Sequence, residues 1–200
     1  SALALMEGPG FVRAAHDAFI AAGADIITTN SYAIVPFHIG EATFRSRAGE
    51  LLDLAGQLAK SAANSSQRPV QVAGGVPPMF GSYQPDKFDA GRASEMMALF
   101  RGHLTPYVDV FMAETHSSIA EARCFLDAFA DCAKPVWLSL TLEDAEPVEG
   151  QPMLRSGELL ADLLSSLTDY MPAAVLFNCS QPEVMDDAVR KVVMHIADQS

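Results

Sequence analysis

Two hundred residues are enough for one domain with a sizeable core, and no linker-like stretch divides them. Half of the residues are hydrophobic and only 19% are charged, which excludes a disordered chain. The 13 basic residues against 25 acidic ones give a formal charge of -12, which argues against a nucleic-acid or anionic-membrane partner, since either needs a basic face.

The three cysteines, Cys124, Cys132 and Cys179, are an odd number without disulfide-framework spacing, so a reducing, cytoplasmic compartment is expected. No apolar run approaches the ~20 residues of a membrane span. The opening SALALMEGPG has no basic segment of the signal-peptide kind and starts abruptly, as if cut from a longer chain.

In chain order, residues 9–22 read as a helix with Pro9 near its start, Gly23 as its stop, and Phe11, Ala15, Ala18, Phe19 and Ala22 on its inner face. A β-branched strand follows over 25–30 and ends in Thr29, Asn30, Ser31 and Tyr32. After a loop with Pro36, Phe37 and His38, residues 41–64 form a long helix with an apolar stripe from Phe44 through Leu51 and Leu52 to Ala62. A short strand over 70–73 runs into a Gly74-Gly75 turn. The loop at 79–88, with Gly81, Ser82, Tyr83 and Pro85, is long enough to suggest a function. A helix over 90–103 places Ala93, Met96, Met97 and Phe100 inward.

The strand over 108–113 ends in Glu114, Thr115 and His116, and Ser117 is expected to cap the next helix. Cys124 and Cys132, eight apart, read as packing residues of that helix and its exit. A strand over 135–141 precedes an acidic loop, and Ser156 is expected to cap a leucine-striped helix. The stretch AAVLFNC, 173–179, is a strand that ends on Asn178 and Cys179. Ser180 then stands as N-cap and Pro182 in the first turn of a last helix carrying Val184, Val189, Val192, Val193 and Ile196. His16, His103 and His195 are expected to face solvent, and His38 and His116 to be loop or capping residues.

Helices and strands alternate with no hairpin signal, which makes a parallel sheet covered by helices. The pattern fits a (β/α)8 barrel or an open doubly wound sheet, and the absence of a glycine-rich phosphate loop weakens the second. A complete barrel takes ~250 residues, more than this chain has. At the C-terminal ends of barrel strands, Thr29, Asn30, Ser31, Tyr32, Glu114, Asn178 and Cys179 make a set able to bind a zwitterion: a carboxylate for an ammonium group, hydroxyls and amides for a carboxylate, and one soft thiol for a metal. The alternatives are a Glu114 that only faces helix-terminal N–H groups and a Cys179 that only packs.

The blocks AGADIITTNSY (22–32), GGVPP through GSYQPDKF, DVFMAETHSSIAEAR (109–123), KPVWLSLTLED (134–144) and VLFNCSQPEV (175–184) resemble, in order, those of the homocysteine S-methyltransferase family. The resemblance implies a (β/α)8 barrel that uses Zn²⁺ to activate the thiol of homocysteine. Methyl transfer then gives methionine, from S-methylmethionine or S-adenosylmethionine in the simplest members and from betaine or a methylated cobalamin in others. It further implies that Cys179 is the first of three zinc-ligand cysteines and that Glu114 holds the homocysteine amino group. Thr29, Asn30, Ser31 and Tyr32 would line the substrate pocket with Asn178. The family's adjacent cysteine pair, in a GGCC-type motif, and its first strand, with an Asp-Gly-Gly turn, have no counterpart here. The expectation is therefore a single barrel domain over 1–200 that corresponds to strands two to six. It is either the central part of a zinc-dependent methyltransferase or a non-catalytic fragment that binds a partner or itself.

Overall fold

The computed structural model of the chain describes residues 2–167 and 171–198. Its elements are α1 (Ala2–Glu7), α2 (Pro9–Ala21), β1 (Ile26–Thr28), α3 (Pro36–Ile39), α4 (Glu41–Ser65), β2 (Gln71–Val76), α5 (Ala90–Leu104), β3 (Val110–His116), α6 (Ile119–Phe129), β4 (Val136–Leu140), α7 (Leu160–Ser165), β5 (Ala174–Phe177) and α8 (Pro182–Asp198). The five strands form one sheet in the order β1-β2-β3-β4-β5, and every pairing is parallel. A doubly wound sheet reverses its strand order at a switch point. This sheet advances in one direction only, which is the winding of a (β/α)8 barrel over part of its circumference.

Burial on both sheet faces explains the strand sequences. β2 is buried along Val72, Ala73, Gly74, Gly75 and Val76, and Ile27, Phe111, Leu138 and Leu140 are buried on its neighbours. Aromatic stacking fixes the layer between β3 and α6: Phe111 and Phe125 approach Phe129 with ring centroids at 4.7 Å and 4.6 Å. The stripe of α4 is buried as the periodicity predicts, through Phe44, Ala48, Leu51, Leu52, Ala55, Ala59 and Ala62. Among the described residues no helix is long and apolar enough to cross a membrane.

Two helix faces differ from expectation. On α2 the buried residues are Val12 and His16, while Phe11 and Phe19 are 80% and 66% exposed. α2 carries apolar residues on more than one side, and its polar Arg13 bonds Ser61 and Ser65 of α4, which fixes the rotation. On α8, Ala188 and Val192 are buried, whereas Val189, Val193 and Ile196 are exposed. These helices precede β1 and follow β5, the two edge strands, where no further layer of the described structure covers them. Amphipathicity tells that a helix has an apolar face; the neighbours decide which residues of it are buried.

Local details shift as well. Gly74 and Gly75 lie inside β2 and do not form a turn. Ser118, not Ser117, caps α6 by accepting from the Glu121 N–H. Leu159 occupies the N-cap of α7, and the Ser156 hydroxyl donates to Glu158 instead. Ser180 does not cap α8: its hydroxyl donates to the Asn178 carbonyl and accepts from the Leu142 N–H. His103 is half-buried and bonds Asp53 at 3.0 Å.

The end of β3 carries a register slip between Ala113 and His116, with Thr115 at φ 67. A bulge re-aims the side chains that follow it. His116 is thereby fully buried, edge-on to Phe125 at 5.7 Å, rather than in a loop or a cap. Below it the buried Glu121 carboxylate accepts from the Ser117 N–H (2.7 Å) and hydroxyl (2.9 Å). Burial holds the His116 pKa below 6.5, against the opposing pull of Glu121. Below that pH the unfolded chain takes up a proton that the folded one resists, so stability is lost as pH falls. His116→Gln is expected to lose less melting temperature than the parent between about pH 7.5 and about pH 5.5. Equal losses, read by thermal unfolding, would remove His116 as a source of the acid sensitivity.

Candidate functional site

Parallel strands deliver all their C-terminal ends to one side of the sheet. At the end of β1, the Thr29 N–H extends the ladder to the Ala73 carbonyl at 2.9 Å. The Thr29 hydroxyl accepts from the Gly75 N–H (3.1 Å), and Ser31 Oγ donates to the Gly75 carbonyl (2.6 Å). The two hydroxyls lie 2.8 Å apart. Ser31 is thus a buried tie between β1 and β2, and Thr29 shares that duty. Thr29, Asn30, Tyr32 and Glu114 border a cleft of about 540 Å³, walled on its other side by Phe11, His16 and Phe19.

Glu114 is a chemically unsatisfied group of this cleft. Its Oε2 is buried and has no hydrogen-bond partner, and burial alone pushes its pKa above the usual carboxylate value. Gly75 makes room for it: a Cβ there would stand 2.6 Å from Glu114 Oε2. The glycine pair, expected as a turn, is a strand segment that lets a carboxylate lie against the backbone. His16, on the far wall, also has a buried Nε2 without a partner, and burial lowers its pKa. It was expected to face solvent.

Asn178 and Cys179 stand at the β5 end of the same mouth. The Asn178 Nδ2 donates to Thr115 Oγ1 at 2.7 Å, and its Oδ1 accepts from Ser139 Oγ at 3.1 Å. One side chain thus joins the ends of β3, β4 and β5. The Cys179 thiol is exposed, in contrast to Cys124 and Cys132, which pack half-buried against the core. Cys179 Sγ lies 3.4 Å from Asn178 Nδ2. Among the described residues no group of three or more His, Cys, Asp or Glu side chains is placed to hold a metal. Zinc takes three or four ligands. Cys179 fits one of them, and the described part of the chain does not complete a set.

The non-glycine residues with positive φ are Tyr83 (60), Thr115 (67) and Cys179 (52). Asn178, the neighbour of Cys179, bonds Thr115, and the Arg155 guanidinium lies 5.2 Å from the Tyr83 ring centroid while it reaches the Cys179 carbonyl. Backbone strain of this kind costs about 1–3 kcal/mol per residue and concentrates at functional sites. Sequence reasoning missed Arg155 and Asp144, which lie close by. The Arg155 guanidinium forks onto Asp144 at 2.7 Å and 3.2 Å and donates to the Cys179 carbonyl at 3.1 Å. Nothing in an acidic loop marks one arginine as special. Tyr83 carried a faint signal, the length of its loop.

A family model described as homocysteine S-methyltransferase matches residues 1–199. Homocysteine S-methyltransferase 1 of Brassica oleracea var. italica is 24% identical over 216 residues, covering 96% of this chain and 64% of that protein. The chain therefore spans just under two thirds of that curated relative's length. Among solved structures, the homocysteine methyltransferase MmuM from Escherichia coli in its metallated form aligns with a TM-score of 0.78 at 23% identity, over 96% of this chain and 72% of the other. Its apo form aligns with a TM-score of 0.71 at 24% identity, over 96% and 70%. These likenesses agree with the barrel winding of the sheet, and the match along nearly the whole chain decides the family. The chain belongs to the homocysteine S-methyltransferase family.

Proposed function

We propose that the protein carrying this segment transfers a methyl group from a sulfonium donor, S-methylmethionine or S-adenosylmethionine, to the thiol of homocysteine, and that the segment supplies the amino-acid pocket and one metal ligand. The observation that carries this reading is Glu114: a carboxylate with a buried, unpartnered oxygen at a strand end is a waiting partner for an ammonium group. Asn30 and Tyr32, with Thr29 behind them, border the space beside it, and the Ser31 hydroxyl holds the β1 end in place. Asn178 braces the opposite rim and sets the position of Cys179. In the transfer, the homocysteine sulfur forms a bond to the methyl carbon. The donor's carbon–sulfur bond breaks with its electron pair on the leaving sulfur, and the thiol proton goes to solvent. The acidic chain suits a cationic donor, and the residues chiefly supply alignment.

Cys179 is proposed as one zinc ligand, the others lying outside the described residues. Zinc, when bound, keeps a thiol deprotonated at neutral pH while leaving it nucleophilic. The metallated state of MmuM is a property of that protein and supports the assignment here by kinship. Three free, unpaired cysteines among the described residues accord with a reducing, cytoplasmic setting.

Methionine formation from homocysteine is expected with a sulfonium donor. Turnover only with betaine or a methylated cobalamin would move the donor assignment, and none with any donor would sink the reading. Glu114→Gln is expected to raise the KM for homocysteine about tenfold to a hundredfold, the loss of one charge-assisted bond, with a smaller change in kcat. Because burial raises the Glu114 pKa, the ionised form that an ammonium group needs is lost as pH falls. Homocysteine binding should therefore weaken toward acid in the parent and lose that dependence in Glu114→Gln. Cys179→Ser is expected to lower zinc per chain in elemental analysis without lowering the melting temperature. Unchanged zinc would make Cys179 a bystander.

A further inference from the structure

The loop after β4 folds back on itself and returns Arg155 to the strand end it left. The Leu142–Leu154 bridge is antiparallel, and the Glu143 N–H donates to the Met153 carbonyl and the Arg155 N–H to the Thr141 carbonyl, each at 3.0 Å. This short ladder sets the Arg155 side chain beside Asp144, on which its guanidinium forks at 2.7 Å and 3.2 Å. The two side chains are only 23% and 13% exposed, unlike the weak pairs of open surfaces.

Residues 178–181, which join β5 to α8, are fastened to the β4 end and this ladder one after another. The Asn178 N–H donates to the Leu140 carbonyl at 3.0 Å. The Cys179 carbonyl accepts from the Arg155 guanidinium at 3.1 Å and from the Thr141 hydroxyl at 3.4 Å. Ser180 Oγ accepts from the Leu142 N–H at 2.8 Å, and the Gln181 N–H donates to Asp144 at 3.0 Å. Of these four residues only Cys179 has a left-handed backbone, φ 52, a conformation that an L side chain resists. The bonds that fix it fall on its carbonyl and on the residues at either side. Arg155 is the charged donor of the set, and a charge-assisted bond is about twice as strong as a neutral one.

We propose that Arg155, held by Asp144, is the positioning residue that keeps the Cys179 backbone left-handed and so sets the direction in which its thiol leaves the β5 end. The proposal rests on the methyl-transfer reading for the importance of that thiol, while the conformation stands on contacts that need no metal and no substrate. Lysine is no substitute, because one ammonium group lacks the planar fork that spans Asp144 and the Cys179 carbonyl together.

The intact protein, labelled with ¹³C at cysteine and compared at equal metal content, tests this without turnover, because the Cα and Cβ shifts of Cys179 report its backbone region. Arg155→Gln is expected to move those shifts away from left-handed values and to speed exchange of the Gln181 amide about tenfold, the loss of one charge-assisted bond. Arg155→Lys is expected to behave in the same way. Asp144→Asn, which loosens the fork while filling the same space, is expected to move the shifts in the same direction and carries the test if Arg155→Gln fails to fold. Cys179→Gly frees the left-handed backbone of its cost, so adding it to Arg155→Gln is expected to return Gln181 exchange toward the parent rate. Parent-like Cys179 shifts in both Arg155→Gln and Asp144→Asn would overturn the proposal. So would faster Gln181 exchange in Arg155→Gln that Cys179→Gly leaves untouched, since Arg155 would then only stabilise its own loop. The expected shifts in a protein that fails to methylate homocysteine would sink the methyl-transfer reading and leave the positioning role standing.

Discussion

All five strands point the same way, and that single constraint orders the rest of the molecule. A parallel sheet has to be covered on its faces, so each strand is returned by a helix and its central residues are mostly apolar, with polar side chains gathered toward the strand ends. The same direction puts the ends of β1, β3 and β5 on one rim, which is why Asn30, Glu114 and Cys179, far apart in the chain, share a mouth. The site is a consequence of strand direction before it is a consequence of any residue.

The sequence carried the layering well and the rotations poorly. The α4 stripe was legible because its period is unbroken and its polar side is unambiguous. On α2 the expected aromatic pair Phe11 and Phe19 faces outward, and on α8 the apolar residues divide, with Val184 and Val192 packed inward and Val189, Val193 and Ile196 exposed. Three serines were each taken for a helix cap from a local pattern, yet Ser118 and Leu159 hold two of those positions and Ser180 ties down a neighbouring strand end. A cap pattern tells that a helix begins nearby; it does not fix the residue on which the backbone turns.

For the candidate site, strand-end position was the informative signal. It led to Glu114, Asn178 and Cys179, and the structure adds what position alone does not contain: which polar groups are satisfied. Thr29, Ser31 and Asn178 carry hydrogen bonds that join strands, whereas the buried oxygen of Glu114 carries none. That difference separates residues that hold the mouth together from one whose buried carboxylate oxygen has no protein partner. Arg155 was invisible because its importance lies in touching Asp144, Cys179 and Tyr83 at once, a coincidence of three distant segments.

The left-handed backbone at Cys179 has an evolutionary corollary. Any L side chain there is less comfortable than glycine, so random drift toward higher stability would erode the thiol first. A lineage released from the need for that sulfur should drift toward glycine or asparagine at this position while keeping the fold, and the residue found there becomes a marker of whether the chemistry is still under selection.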